Sequence, residues 1–182
     1  MKILNVDVLS NKLVTDNPVN RCYYCKQGVF GTILEAVKND GMTVILDGTN
    51  ASDDADDRPG MKALQEMKVL SPLRMCGYVK SEIRKQSKEA GLFVYNKPSY
   101  ACLATRIPTG TEIDEEKIKQ VETAETFLFD LGFSDFRVRW MDNKAKIQMP
   151  ESQLQALMEK REVVLEELSK IFDEVLLDLR TR

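Results

Sequence analysis

Cys22 and Cys25 lie three residues apart in Arg21-Cys22-Tyr23-Tyr24-Cys25-Lys26, and Cys102 lies in Ser99-Tyr100-Ala101-Cys102-Leu103-Ala104-Thr105-Arg106. On a helix, Cys22 and Cys25 fall almost one turn apart, so their thiolates can point the same way. Thiolates are soft, charged donors that suit zinc and iron–sulfur clusters. The pair alone is equally compatible with a disulfide, a zinc half-site, two cluster ligands or plain packing. The chain contains no histidine, so histidine bases and histidine-ligated metals are excluded. A closed zinc site would then need all four cysteines, with Cys76 as the fourth. Cys76 sits in Arg74-Met75-Cys76-Gly77 with no nearby partner cysteine. Three thiolates on a four-iron cluster would leave one iron open for a small sulfur species. Arg21, Lys26 and Arg106 are placed in sequence to favour thiolates and offset cluster charge.

Two further groups could bind anions or cations. Asp47 ends an apolar run and opens Asp47-Gly48-Thr49-Asn50, followed by aspartates at 53, 54, 56 and 57 and by Arg58. Carboxylates at this place can hold magnesium directly or through water, and Arg58 can reach a phosphate. A solvated polar loop is the plainer reading of Asp53, Asp54 and Asp56. Arg137 and Arg139 alternate about Val138, so a strand would put both on one face. There they can grip a phosphate or carboxylate, or pair with Glu112, Glu151 or Asp178.

The elements that must position these residues follow from periodicity. Ile3 to Leu9 and Thr43 to Leu46 read as short strands, the second as one buried in a parallel sheet. Helices are expected from Arg21 to about Lys38, over Met61 to Met67, over Ser81 to Ala90 and strongly from Asp114 to Leu131. Phe136 to Trp140 and Ala145 to Met149 read as paired strands, Glu151 to Lys170 as a helix and Val175 to Leu179 as a last strand. The expected fold class is α/β. A partial parallel-sheet domain over 1–110 carries the cysteines, and a small α/β domain over 111–182 follows it.

The 182 residues are 43% hydrophobic with a net charge of −3, a composition that supports a packed core and argues against a nucleic-acid surface. No apolar stretch is long enough to span a membrane. The cysteine spacing is unlike an extracellular disulfide framework, so a reducing cytoplasm is the expected setting.

Taken together, Arg21 to Lys26, Asp47 to Gly60, Lys97 to Gly110, Arg137 to Trp140, Met149 to Glu151 and Leu177 to Leu179 resemble the ATP-dependent sacrificial sulfur transferases of the PP-loop superfamily. That family makes the nickel-pincer nucleotide cofactor. The resemblance implies a PP-loop, adenine-nucleotide alpha hydrolase-like domain. It also implies adenylylation of a pyridinium mononucleotide carboxylate and its conversion to a thiocarboxylate. One branch sacrifices a cysteine, which would fall at Ala101. The other carries sulfur on a [4Fe-4S] cluster, whose ligands would be Cys22, Cys25 and Cys102. The resemblance further implies ATP and Mg2+ near Asp47, Asp57 and Arg58, with Arg106 beside them. It implies substrate phosphate at Arg137 and Arg139, and a homo-oligomer, trimeric or hexameric. The family's Ser-Gly-Gly-x-Asp-Ser pyrophosphate loop is not in this sequence. The expectation is therefore a chain that starts inside the nucleotide-binding domain, at about its fourth strand, and that works with a separate loop-bearing chain or is weak alone. Two alternatives stay open: a transfer-RNA thiolation enzyme fragment, and a non-catalytic cluster- or zinc-binding scaffold.

Overall fold

The computed structural model describes residues 1–53 and 59–180 and divides into two compact units, Met1–Lys97 and Pro98–Arg182. The first unit is mostly helical. Helix α1 (Lys12–Thr15) is capped by the Asn11 side chain, which accepts from Leu13 N at 3.0 Å. Helix α2 (Arg21–Asn39) begins at the cysteine pair and packs on α3 (Pro59–Glu66). Their approach is close. A Cβ added at Gly60 would stand 3.0 Å from the Lys26 side chain and 3.5 Å from the Cys22 carbonyl oxygen, so a larger residue there would make the end of the Lys26 side chain shift slightly. Tyr23 Oη donates to Glu66 Oε2 at 2.6 Å across the same contact. Phe30, Ile45 and Met67 close over a small core of Met61, Leu64 and Val69. Helices α4 (Pro72–Met75) and α5 (Lys80–Glu89) follow, and the Glu82 carboxylate reaches back to Val79 N at 3.0 Å.

The strands expected in this unit are largely absent among the described residues. Ile3 to Val8 has no regular structure, and Ile3 is 77% exposed. Thr43 to Leu46 contributes one isolated parallel bridge, Leu46 with Leu70. Leu70 N donates to Ile45 O at 3.0 Å and Asp47 N to Leu70 O at 2.9 Å. A strand persists only where a neighbour takes its backbone hydrogen bonds, and only Leu70 does so here among the described residues. The finding supports a mixed α/β chain whose sheet belongs to the second unit.

In that second unit, α6 (Glu115–Asp130) starts at Asp114, whose carboxylate accepts from Lys117 N at 2.8 Å. It ends at Gly132, where φ is +92° and the Phe133 amide bonds Leu128 O at 3.1 Å, a left-handed helix stop. Strands β1 (Arg137–Met141) and β2 (Lys144–Gln148) pair antiparallel, and β3 (Glu174–Leu177) adds to β2 in parallel, in the order β1-β2-β3. Asp142 and Asn143 make the β1–β2 turn with φ of +47° and +60°. Both are residue types that tolerate that region, and the turn matches the strand twist. The expected helix over 151–170 is interrupted. A 3-10 turn at Glu151–Gln153 leads into α7 (Leu154–Glu159), and Lys160 separates it from α8 (Arg161–Leu168). The Lys160 ammonium donates to Leu131 O at 2.7 Å.

The sheet has two faces of opposite character. Val138, Trp140, Ala145 and Ile147 point to one side and join Val121, Ala124 and Leu128 of α6, with Leu157, Val164, Leu168 and Phe172, in the core. The alternate residues Arg137, Arg139, Lys144, Lys146 and Gln148 share the other side. No helix among the described residues is long and apolar enough to cross a membrane.

Candidate anion-binding site

The cysteines do not assemble. Cys22 and Cys25 occupy the first turn of α2, Cys22 exposed and Cys25 half-buried. The Arg21 guanidinium lies 3.8 Å from Cys22 Sγ. Cys102 is exposed and precedes the 3-10 turn Leu103–Arg106 in the second unit, and Cys76 is an exposed residue at the end of α4. Among the described residues no three histidine, cysteine, aspartate or glutamate side chains are grouped to hold a metal ion. A cluster or a closed zinc site needs its thiolates to converge on one point. This corrects the expectation of a three-cysteine [4Fe-4S] centre at Cys22, Cys25 and Cys102. With it go the transfer of cluster-borne sulfur to a thiocarboxylate, the four-cysteine zinc site, and the thiolation and scaffold alternatives built on the same ligands. A magnesium centre assembled from three carboxylates is likewise not found among the described residues.

Of the loop's aspartates, Asp47 and Asp53 are among the described residues, and both bond locally. Asp47 accepts from Ser71 Oγ at 2.6 Å, Thr49 Oγ1 at 2.6 Å and Thr49 N at 3.2 Å. Burial alone would raise its pKa, but these hydrogen bonds outweigh burial and hold the carboxyl below its ordinary value. Asp53 caps the turn by accepting from Asn50 N and Nδ2 at 3.0 and 2.9 Å. Asp57 and Arg58 lie outside the described residues.

Arg106 is a buried residue at the heart of the second unit. Its Nε and Nη2 donate to the two Glu125 oxygens at 2.6 and 3.0 Å, and its Nη1 donates to Thr105 Oγ1 at 2.9 Å. Glu125 Oε1 also accepts from Val138 N at 2.9 Å, tying α6 to the strand that carries Arg137 and Arg139. Burial, and then the Glu125 carboxylate beside it, push Tyr100 up to about 12. Arg137 is buried. It donates to Phe136 O at 2.6 Å and to Ser99 O, and its guanidinium lies 5.9 Å from the Tyr100 ring centre. It pins the 98–100 segment against β1.

Arg139 stands differently. It lines a cleft of about 360 Å³ with Lys146, Gln148, Met141 and the Thr105–Thr109 turn. Arg139 Nε donates to Gln148 Oε1 at 2.9 Å, and a second guanidinium nitrogen donates to Thr105 O. Gln148 Nε2 in turn donates to Asp178 Oδ2 at 2.8 Å, and Lys146 Nζ lies 2.8 Å from the same oxygen. Lys146, then Gln148 and Arg180, hold the Asp178 carboxyl well below the usual range. Arg139 and Lys146 are direct cross-strand partners. Like charges directly opposite in a sheet disfavour each other, and here the Asp178 carboxylate offsets Lys146 while Arg139 bonds Gln148 and the Thr105 carbonyl. The sequence reading singled out Arg139 but not Lys146 or Gln148. The alternation of 144, 146 and 148 in β2 was the available signal, since pairing with β1 would bring it onto the same face.

No family model matches the chain. It is 36% identical over 171 residues to an uncharacterised protein of Synechocystis, covering 94% of this chain and 63% of that protein. It is 33% identical over 149 residues to the pyridinium-3,5-bisthiocarboxylic acid mononucleotide synthase of Lactiplantibacillus plantarum, covering 82% of this chain and 54% of that enzyme. An uncharacterised protein of Methanocaldococcus jannaschii is 31% identical over 161 residues, with 88% and 63% covered. The chain thus spans between 54% and 63% of the length of these relatives.

Proposed function

We propose that the second unit binds the phosphate of a pyridinium mononucleotide, and that the chain is the substrate-holding part of an enzyme acting on such nucleotides. The observation that carries the reading is the cleft in which Arg139 and Lys146 stand opposite each other on β1 and β2, with the Thr105–Thr109 turn as its third wall. A phosphate dianion relieves the repulsion between two facing cations, and a guanidinium offers it paired donors in a fixed plane. Thr105 and Thr109 place hydroxyl-bearing side chains along the same cleft. The similarity to an enzyme named for a pyridinium mononucleotide product supports the ligand class. Arg137, on the same strand face, holds Ser99 and Tyr100 against the sheet and so shapes the cleft from outside it.

The test is calorimetric titration of the full chain with nicotinic acid mononucleotide and, separately, with inorganic phosphate. Arg139→Gln is expected to weaken both by at least about tenfold, in line with the loss of a charged hydrogen-bonding partner. Equal affinity in wild type and Arg139→Gln, with the variant still folded by circular dichroism, would overturn the assignment.

A further inference from the structure

The cleft carries its own competing anion. Asp178 lies just beyond β3, is 8% exposed, and accepts at one oxygen from both Lys146 and Gln148. Its other oxygen accepts from Arg180 N at 3.1 Å and Arg180 Nε at 3.3 Å. Asp178 is not itself among the residues lining the cleft. Lys146 is, and its ammonium is turned toward Asp178. An arriving phosphate therefore meets one cation, Arg139, whose Nε is held by the Gln148 amide, and a second, Lys146, already neutralised from behind. The amide orientation of Gln148 is fixed by its two neighbours, its oxygen toward Arg139 and its nitrogen toward Asp178.

Resting on the phosphate-binding reading above, we propose that Asp178 is an internal counter-anion that sets the affinity of the cleft. It keeps Lys146 ordered and neutralised when the cleft is empty, and the ligand must draw Lys146 away from it. Three features carry this. The carboxylate is nearly buried, so water screens its attraction for Lys146 poorly. Lys146 is a long, flexible cation that can swing between two anions on one pivot. The Arg139–Gln148–Asp178–Lys146 chain of contacts also links the two cations of the cleft through this one carboxylate, so occupancy at one is felt at the other. The arrangement limits how tightly the phosphate is held and so favours its release.

The experiment compares inorganic phosphate binding by the full chain in wild type, Asp178→Asn, Lys146→Gln and the double variant. Asparagine keeps the shape and one acceptor oxygen but removes the charge. Asp178→Asn is expected to tighten phosphate binding on the order of tenfold, and the gain is expected to shrink at least severalfold in the Lys146→Gln background. Unchanged or weaker binding in Asp178→Asn, while Arg139→Gln still weakens binding, would overturn the counter-anion role and leave the phosphate site standing. If Arg139→Gln has no effect, the phosphate site itself falls, and this role with it. Should Asp178→Asn fail to fold, the wild-type chain gives the same answer by nitrogen-15 spectroscopy of its lysine ammonium groups. Phosphate must then move the Lys146 resonance; an unmoved resonance at saturating phosphate overturns the proposal.

Discussion

Glu125→Ala should cripple the second unit, and the size of the effect follows from three contacts. The Arg106 and Glu125 side chains are 0% and 1% exposed and meet in a two-pronged pair at 2.6 and 3.0 Å. The same carboxylate accepts the Val138 amide at 2.9 Å. Truncation leaves a guanidinium in the core with no counter-charge and a strand N–H with no acceptor. Removing one partner of a buried pair costs about 3–5 kcal/mol, and an orphaned buried amide adds about 1–3 kcal/mol. A domain of this size holds about 5–15 kcal/mol in all, so the variant is expected to lose about 4–8 kcal/mol, roughly half or more of the unit's stability. The chain has a single tryptophan, and Trp140 lies in β1 with its Nε1 donating to Gln120 Oε1 at 2.9 Å. Urea titration followed by its fluorescence therefore reports on the unit concerned. Arg106→Met combined with Glu125→Leu removes both charges at once and should recover at least half of the loss, because no buried charge is left unpaired. A Glu125→Ala variant destabilised by under about 1 kcal/mol would refute the reasoning, since it would mean that water or another group already satisfies Arg106.

Two further outcomes are expected. Gly132→Ala forces a Cβ onto a residue at φ +92° and should lower stability by about 1 kcal/mol, read as a fall in the urea midpoint at unchanged slope; an unchanged midpoint would argue against the left-handed stop. Asp178 has a folded-state pKa held below its unfolded value of about 3.9. Its contribution is therefore present above that value and is lost as the pH falls through the folded pKa. Stability of the second unit should drop as the pH falls below about 4, and Asp178→Asn should show a shallower drop; equal slopes would refute the assignment.

The second unit was legible because each element declared itself locally. Val121 and Leu128 mark one stripe of α6, Asp114 and Gly132 mark its ends, and Phe136 to Trp140 reads as a strand to within a residue of β1. The break at Lys160, where φ is −100° and ψ 9°, was not legible, because no glycine or proline in the sequence marks it. In the first unit the apolar run Thr43 to Leu46 looks like a buried strand, yet Met42, Val44 and Leu46 are 59%, 56% and 61% exposed. Hydrophobicity identifies what a segment prefers to bury, but strand formation also needs a neighbour's backbone. The cysteines show the same limit. Spacing on α2 places Cys22 and Cys25 within a turn, but nothing in spacing says that a third thiolate arrives. Lys146 went unnoticed because its significance is relational: it matters only once register sets it opposite Arg139.

That register is the strongest reason to place function on this sheet. The core face of β1 and β2, with Val138 against Ile147 and Trp140 against Ala145, accounts for folding by apolar burial. Nothing in that face requires cations on the other side. The cross-strand pair Arg139–Lys146 costs stability through repulsion, and the chain uses Gln148, Asp178 and the Thr105 carbonyl to hold those two side chains in place. Two basic side chains thus face one cleft of about 360 Å³, Lys146 held by Asp178 and Arg139 by Gln148 and the Thr105 carbonyl, an arrangement whose donors an anionic ligand could share.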